Sequence, residues 1–313
     1  MSKKLISIIS PTYNEEANVD EVYRRVVQVI DRLIDYEFEY LFIDNASTDK
    51  TLEKLKQLAV KDGRVKIIVN NRNFGHIRSP YWGILQTSGD ATIYLASDLQ
   101  DPPEIIPQFI AGWELGYKLV MAVKPISEGN PLMHFLRRSY YRMLDRISDI
   151  PITRDTTGFG LYDKRVIQEL KKINDPYPYL RGLIDELGFS MQTIEFIQPR
   201  RVRGITKNNF YTLYDMAMLG VVSHSMIPIR LASILGMILG SISMVLALLI
   251  LFAKLIWWDG FAAGYAPILI TVLFMLGLIM FFVGLLGEYV GVILTHVRNR
   301  PIVTERERIN FDL

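Results

Sequence analysis

The chain has no cysteine among its 313 residues. This absence excludes disulfides, thiolate metal sites and cysteine nucleophiles, and it fits a reducing compartment. The four histidines are scattered and lack the spacing of a metal site. Lysine and arginine nearly balance aspartate and glutamate, which gives a net charge of +2. Because nucleic-acid binding needs basic residues concentrated on one face, we expect no nucleic-acid partner.

Charge is also missing from two long stretches near the C-terminus. Residues 231–253 and 265–287 each run for 23 positions without a charged side chain. As helices they would each be about 35 Å long, against a hydrocarbon core of about 30 Å. We therefore predict two transmembrane helices, at about 229–257 and 265–294, within a membrane segment 229–298.

Cations lie on both sides of this segment, in residues 200–207 and 298–308, whereas the short connection holds Lys254 and Asp259. The positive-inside rule then places both flanks in the cytoplasm. The sequence thus predicts a multi-pass protein of the inner (plasma) membrane, with its N-terminal domain and both termini cytoplasmic.

Short apolar runs alternate with amphipathic stretches over the first 125 residues. The apolar runs are typical of strands buried on both faces, and the stretches between them are typical of helices. Strands are predicted at 5–10, 38–43, 65–69, 91–96 and 119–123, and helices at 19–33, 52–60, about 81–87 and 104–115. This alternation predicts a parallel, doubly wound α/β sheet that binds ligands beyond the carboxyl ends of its strands.

Polar loops follow the first two predicted strands. Residues 10–16 read SPTYNEE, and residues 44–49 read DNASTD. A proline-stiffened turn with an aromatic ring and carboxylates can stack a base and accept hydrogen bonds from a nucleoside. Neither loop offers the glycine amides of a Walker or dinucleotide motif. Taken alone, Asn14 and Asp49 could equally be ordinary turn or cap residues.

The fourth predicted strand leads into SDLQDPPE at residues 97–104. Asp98, Gln100 and Asp101 place two carboxylates and an amide oxygen within four positions. Hard oxygen ligands with open positions for a diphosphate suit Mg²⁺ or Mn²⁺. The alternative for Asp101 is that it caps a helix beginning at Pro102.

These loops occur in an order that resembles family 2 glycosyltransferases of the GT-A fold. More narrowly, the chain resembles the polyprenyl-phosphate glycosyltransferases, in the GtrB-like and dolichyl-phosphate-mannose-synthase-like branch. NRNFG at 71–75, RVRGITK at 201–207, EYVG at 288–291 and RNRP at 298–301 extend the resemblance over nearly the whole chain.

The resemblance implies a Rossmann-like, mostly parallel GT-A catalytic domain followed by an α-helical transmembrane hairpin. We assign residues 1–207 to the cytoplasmic catalytic domain and 299–313 to a cytoplasmic tail. The stretch 208–228 is interpreted as an amphipathic helix in the membrane interface, and packing on the domain's own core is the alternative.

The donor-binding residues of the family correspond to residues in the loops 10–16, 44–49 and 97–104. The resemblance implies that the nucleotide-sugar is bound by Pro11, Tyr13, Glu15, Asp44 and Asp98. It also implies that Asp98 and Gln100 hold the metal. Ala96 replaces the first carboxylate of the family's usual Asp-x-Asp, which leaves Asp98, Gln100 and the diphosphate itself as ligands and puts metal dependence in question.

Basic residues form the expected acceptor site. The acceptor phosphate is expected to be bound by Arg137, Arg138, Arg201 and Lys207, because guanidinium groups bind phosphate bidentately. The resemblance supports Arg201 and Lys207, which lie in the matching RVRGITK element. Attraction to anionic lipid surfaces is the alternative for this cluster. The catalytic residues expected are Asp98, Asp155 and Arg201, with Asp155 positioning the sugar first and acting as a base second; an ordinary turn aspartate is the alternative for Asp155.

The expected reaction moves a sugar, glucose from UDP-glucose as the first choice, onto polyprenyl (undecaprenyl) phosphate at the cytoplasmic face, with inversion. The partners are then a nucleotide-sugar, polyprenyl phosphate and the lipid bilayer, and a homo-oligomer stays open. A processive polysaccharide synthase would need a Gln-x-x-Arg-Trp element and more spans. A non-catalytic scaffold or flippase component that senses nucleotide-sugar is the other competing reading.

Overall fold

The computed structural model describes residues 3–124, 156–173, 175–196, 265–298 and 300–311, with single positions between 229 and 256. Strands and helices alternate through most of this part. In chain order the elements are β1 Lys4–Thr12, α1 Val19–Ile30, β2 Tyr36–Asp44, α2 Thr51–Lys61, β3 Val65–Asn70, α3 Gly75–Leu85, β4 Ala91–Tyr94, a 3₁₀ turn Pro103–Ile105, α4 Ile106–Glu114, β5 Leu119–Val123, β6 Thr156–Asp163, α5 Lys164–Lys172, α6 Leu180–Glu186, β7 Met191–Glu195, α7 Tyr265–Val297 and β8 Glu305–Ile309.

The described strands form one sheet in the order β7-β5-β6-β4-β1-β2-β3-β8. The central strands β3, β2, β1 and β4 are parallel neighbours, as are β5 and β7. β6 runs antiparallel between β4 and β5, and β8 runs antiparallel along β3. The five predicted strands and four predicted helices of the first 125 residues are confirmed, and the sheet is mixed but mostly parallel.

Apolar side chains pack on both faces of the sheet. The apolar residues of α1 recur at helical spacing, and Val19, Val22, Val26 and Ile30 are all buried. They join α2 and α4 in the core on one face, while α3, α5 and α6 pack on the other face. Burial of each such side chain contributes roughly 1.5–3 kcal/mol. The strands are therefore fixed between two helical layers.

The four parallel central strands deliver their following loops to one edge of the sheet. Thr12 at the end of β1 pairs with Asp44 at the end of β2, and Asp44 pairs with Val69 in β3. On the other side of β1, Ile9 pairs with Tyr94, the last residue of β4. The loops after β1, β2, β3 and β4 consequently converge where the sequence places its polar motifs.

The predicted membrane hairpin is not confirmed, and most of its first predicted helix, 229–257, lies outside the described residues. Judged over the positions that the structure describes, no helix is both long enough and apolar enough to cross a bilayer. The predicted localisation, a multi-pass inner-membrane protein with the catalytic domain and both termini cytoplasmic, is therefore contradicted. Uncharged runs and flanking cations favour a membrane hairpin, but they do not by themselves establish a spanning helix.

Candidate active site

The loops after β1 and β2 are joined by hydrogen bonds between backbone and side chains. The Asn14 N–H donates to Ser47 Oγ at 3.0 Å, and the Thr48 N–H donates to Asn14 Oδ1 at 2.8 Å. The Glu16 N–H donates to Asp49 Oδ2 at 3.2 Å. Asn14 itself has a φ of 55°, in the left-handed region that asparagine tolerates. The turn reading of Asn14 and Asp49 is confirmed, and the two loops form one unit.

Asp44 carries a buried carboxylate at the end of β2, with no exposed surface. Its Oδ2 accepts the Ser47 N–H at 3.1 Å, whereas Oδ1 is buried without a hydrogen-bond partner in the described part of the chain. Burial raises the pKa of Asp44, an effect opposed by the Ser47 hydrogen bonds and by Arg306. An unpaired buried acceptor costs about 1–3 kcal/mol, so Oδ1 is set to accept a ligand N–H.

The structure places the other predicted nucleoside residues beside Asp44. Pro11 is half-buried and pairs with Ile43, one position before Asp44. Tyr13 and Glu15 follow directly and are also half-buried. The Glu15 N–H donates to Thr51 Oγ1 at 2.8 Å, which fixes this turn against the start of α2. A proline, an aromatic ring and two carboxylates thus lie together at the ends of β1 and β2.

An asparagine network, to which the sequence analysis assigned no role, holds the NRNFG loop onto β2. Asn45 Oδ1 accepts from Asn70 Nδ2 at 3.1 Å and from the Phe74 N–H at 2.9 Å. Asn45 Nδ2 donates to Asn73 Oδ1 at 2.9 Å. The guanidinium of Arg72 lies 4.1 Å from the Phe74 ring centroid. Asn45 and Asn73, which lie in the DNASTD and NRNFG motifs, were the available signal for this support.

The loop after β4 is held in a strained turn. Leu99 is 9% exposed and has a φ of 62°. This backbone conformation is unfavourable for a residue with a branched side chain. Asp98 Oδ1 accepts the Gln100 N–H at 3.2 Å. Asp101 Oδ2 accepts the Ala96 N–H at 3.1 Å and closes the loop. Asp98 and Gln100 lie on either side of Leu99 in this turn, and both are half-buried.

Asp101 does not cap a helix. The 3₁₀ turn begins at Pro103 and has no side-chain cap. Burial raises the pKa of Asp101 to about 7; the Ala96 hydrogen bond opposes this rise and the neighbouring Asp98 adds to it. The Asp101 carboxyl group is 5% exposed and already accepts the Ala96 N–H, so it is less available to a cation than the half-buried Asp98. Asp98 is therefore the better carboxylate ligand of the two.

The donor set of this loop fits a hard divalent cation that shares its ligands with a diphosphate. Mg²⁺ is commonly bound by one or two carboxylates plus substrate phosphates, and the Asp98 carboxylate and the Gln100 amide oxygen meet that pattern. Within the residues that the structure describes, no group of three or more histidines or acidic side chains is arranged for a metal. In the described part of the chain, Asp98 and Gln100 therefore leave coordination positions for a diphosphate.

Tyr94 connects this loop to α6. Burial raises the pKa of Tyr94 strongly, Asp101 and Asp98 raise it further, and Arg181 opposes them. Arg181 also lowers the pKa of the neighbouring Tyr162. Arg181, which belongs to none of the sequence motifs, therefore exerts a favourable electrostatic effect on the ionised form of both tyrosines.

The remaining predicted site residues lie outside the described residues. They are Arg137, Arg138, Asp155, Arg201 and Lys207. The structure therefore brings together the donor and metal residues on β1, β2 and the loop after β4, and the acceptor assignments stay predictions.

Known proteins with sequences similar to this chain are glycosyltransferases. The sequence model described as Glycosyl transferase family 2 matches residues 7–171. An uncharacterised glycosyltransferase of Bacillus subtilis, YkcC, is 33% identical over 95% of this chain and 91% of its own length. A bactoprenol glucosyl transferase of Shigella phage SfII is 31% identical over 95% of this chain and 96% of its own length.

A solved structure, glucosyl-3-phosphoglycerate synthase from Mycobacterium tuberculosis in complex with Mn²⁺, UDP and glucosyl-3-phosphoglycerate, is 19% identical, with a TM-score of 0.46 over 70% of this chain and 78% of that one. The sequence match begins within β1 and ends in α5, so it covers the central sheet and the loops at its edge. The predicted GT-A α/β architecture and the resemblance to the polyprenyl-phosphate branch are confirmed. The chain belongs to glycosyltransferase family 2.

Proposed function

We propose that this glycosyltransferase moves a sugar from a nucleotide-sugar onto polyprenyl phosphate, with UDP-glucose and undecaprenyl phosphate as the substrates to test first. Family membership supports the sugar transfer. The similarity to proteins named bactoprenol glucosyl transferase, over 95% of the chain, supports a polyprenyl phosphate acceptor. Within the structure, the observation that carries the proposal is Asp44 Oδ1, which is buried without a hydrogen-bond partner among the described residues and lies at the same sheet edge as Asp98.

The donor would lie across the ends of β1 and β2. In this proposal Tyr13 and Pro11 pack against the nucleoside, while Glu15 and Asp44 accept its hydrogen bonds. The half-buried positions of Pro11, Tyr13 and Glu15 suit partial contact with a flat ligand. The diphosphate then extends toward Asp98 on the loop after β4.

A divalent cation, Mg²⁺ or Mn²⁺, would be held by Asp98 and Gln100. When bound, it neutralises charge on the departing nucleoside diphosphate. Ala96 offers no side-chain ligand, and its N–H is already occupied by Asp101.

The reaction is a single displacement. A phosphate oxygen of the acceptor forms a bond to the anomeric carbon, and the bond from that carbon to the β-phosphate oxygen breaks. The leaving nucleoside diphosphate takes the electron pair, and attack from the opposite side inverts the anomeric configuration. Since the acceptor phosphate is already anionic at neutral pH, no strong base is required. Asp155 is assigned to the sugar, and Arg201, Lys207, Arg137 and Arg138 to the acceptor phosphate.

The test is transfer of radiolabelled glucose from UDP-glucose to undecaprenyl phosphate in detergent micelles, followed by extraction of the labelled lipid. Asp98→Ala should abolish transfer, whereas Asp35→Ala, an exposed aspartate between α1 and β2, should keep it. Other nucleotide-sugars run in parallel identify the sugar. Absence of labelled lipid with every donor, or full activity of Asp98→Ala, would refute the proposal.

A further inference from the structure

The C-terminal strand β8 contains an irregularity next to the donor loops. It pairs with β3 through Val69 and Glu307, and then through Asn70 and Glu305. The register shifts between these pairs, so Arg306 is the additional residue of a β-bulge. Bulges redirect side chains, and they are common beside functional sites.

The two glutamates that flank the bulge have side chains that contact different helices. Glu305 accepts the Trp82 Nε1–H of α3 at 2.5 Å. Glu307 forms an ion pair with Lys56 of α2 at 2.7 Å. Because α2 and α3 pack on opposite faces of the sheet, the alternation of side chains is reset at the bulge. Arg306 lies on the α2 side, where its Nη2 is 3.8 Å from Glu307 Oε1.

The sheet register brings this position close to Asp44. Asp44 pairs with Val69, and Val69 pairs with Glu307, so the three residues form one row across β2, β3 and β8. Adjacent strands are about 4.8 Å apart, which puts the backbone of β8 about 10 Å from that of β2. The Arg306 side chain is 52% exposed. Consistent with this proximity, Arg306 lowers the pKa of Asp44.

The position of the bulge is fixed by contacts on both sides. The Asn71 N–H donates to the Thr304 carbonyl at 2.9 Å, and Asn71 Nδ2 donates to the Glu305 carbonyl at 3.0 Å. Beyond the strand, Asn310 Nδ2 donates to the carbonyls of Ala59 and Val65 at 2.8 and 2.9 Å. These hydrogen bonds fix the C-terminal segment to the sheet that carries the proposed donor site.

We propose that Arg306 is a nucleotide-binding residue that, together with Asp44, reads a uracil base. This inference rests on the proposed donor site at Asp44. Asp44 Oδ1 is an acceptor and would take the ring N–H of uracil, while the guanidinium donates only and would bind the adjacent carbonyl oxygen. Cytosine presents a ring acceptor and an amino donor at these positions, so the same pair of side chains would disfavour it.

The experiment measures binding of UDP, CDP and uridine to the purified full chain by calorimetry, with Mg²⁺ present. Arg306→Ala should weaken UDP binding about tenfold, the usual effect of losing one hydrogen bond to a charged group. It should weaken uridine to the same degree and reduce the preference for UDP over CDP. Arg306→Lys should restore part of the loss.

Arg308→Ala is the matched control. It removes the same charge from the same strand, but its guanidinium faces Glu305 at 2.5 Å and Gln86 at 2.7 Å, on the α3 side. We expect its UDP binding to equal that of the wild type, and its melting temperature to fall at least as much as that of Arg306→Ala. Equal UDP binding by wild type and Arg306→Ala, equal losses in the two variants, or a loss for UDP without one for uridine, would each overturn the inference.

Asp44→Asn separates this inference from the proposed function. If Asp44→Asn loses UDP binding while Arg306→Ala does not, the donor site stands and the role of Arg306 is overturned. If the wild type binds no nucleotide, or Asp44→Asn binds UDP normally, the donor site itself is wrong and the inference falls with it.

Discussion

At the scale of single residues, Asp44 is the clearest link between structure and proposed chemistry. Its carboxylate is fully buried, with one oxygen bonded to the Ser47 N–H and the other unpartnered in the described part. Burial raises its pKa above the ordinary value of 3.8, against the effect of the Ser47 hydrogen bonds. Because Oδ2 accepts the Ser47 N–H, a proton on Asp44 would be carried by Oδ1 and would turn this acceptor into a donor, which opposes the proposed contact with a ligand N–H.

This property predicts a pH-dependent donor affinity. As the pH falls from 8 through the raised pKa of Asp44, the affinity for UDP should decrease in the wild type more steeply than in Asp44→Asn. Both proteins experience the same titration of UDP itself, so the difference between the two curves isolates Asp44. Calorimetry at half-unit pH steps provides the measurement. Parallel curves would show that the carboxylate does not contact the donor.

Glu39 shows a carboxylate with a purely structural role. It is 5% exposed and accepts from Ser7 Oγ, from Lys66 Nζ at 2.8 Å and from the Ser88 N–H at 2.9 Å. Burial raises its pKa, but these hydrogen bonds together outweigh burial and hold the pKa below its ordinary value. A lowered folded pKa stabilises the protein at pH values above the unfolded pKa of about 4.3, and this stabilisation is lost as the pH falls through the folded pKa.

Glu39→Gln should therefore destabilise the protein by about 2 kcal/mol at pH 7, because Lys66 loses its charged partner. This corresponds to a fall in melting temperature of roughly 4–8 °C. The difference from the wild type should be constant above pH 5 and shrink below about pH 4. Glu37→Gln, at an exposed position of the same strand, is the control and should change little. A difference that persists unchanged at low pH would contradict the assignment.

At the scale of elements, β6 depends on glycine where it crosses beside β5. A Cβ on Gly160 would lie 2.5 Å from the Val120 carbonyl oxygen and 2.8 Å from Met121 Sδ. Backbone cannot give way as a flexible side chain can, so Gly160→Ala should cost about 1–3 kcal/mol. Gly63→Ala is the control, since its Cβ would meet nothing within 4 Å. Thermal unfolding of both variants tests this, and equal melting temperatures would show that β5 and β6 separate easily.

The same strand shows what sequence patterns could and could not predict. β1 to β5 were predictable because buried parallel strands are nearly continuous apolar runs. β6 contains Gly158 and Gly160, and β8 reads ERERI, so neither has the composition of a strand. Their strand conformation comes from neighbours far away in the chain. β8 in particular pairs with a strand more than 230 positions earlier.

The residues of the candidate site also divide into those that the sequence could place and those that it could not. Loops that follow predictable parallel strands could be brought together from the sequence alone, which placed Asp44 and Asp98 at one edge. Arg306 could not be found that way, because its location depends on the unpredicted pairing of β8. Arg181 was missed for a similar reason, since only the packing of α6 brings it to Tyr94. The transmembrane helices predicted from the uncharged runs stay unconfirmed, since no helix among the described residues meets the requirements of a membrane span.

At the scale of the whole molecule, the carboxyl edge of the sheet is acidic, whereas the proposed donor is an anion. Its carboxylates are those of Glu15, Asp44, Asp49, Asp98 and Asp101. Repulsion between this edge and a diphosphate must be offset for binding. Among the described residues no set of three or more side chains is arranged to hold a cation. Cation and donor should therefore bind together, each supplying ligands or charge that the other needs.

This reasoning predicts mutual dependence of metal and nucleotide. Removing divalent cations with EDTA should weaken UDP binding at least tenfold and stop glucose transfer, and added Mg²⁺ or Mn²⁺ should restore both. Mn²⁺ alone should show no saturable binding in calorimetry, but should bind once UDP is present. Uridine, which lacks the diphosphate, is the control and should bind equally with or without the cation. The variant Asp98→Asn lacks the carboxylate that would link the cation to the protein. In this variant EDTA should therefore have little effect on UDP binding. Tight Mn²⁺ binding without UDP would mean that the protein holds the cation without the diphosphate, and UDP binding insensitive to EDTA would mean that protein cations neutralise the diphosphate.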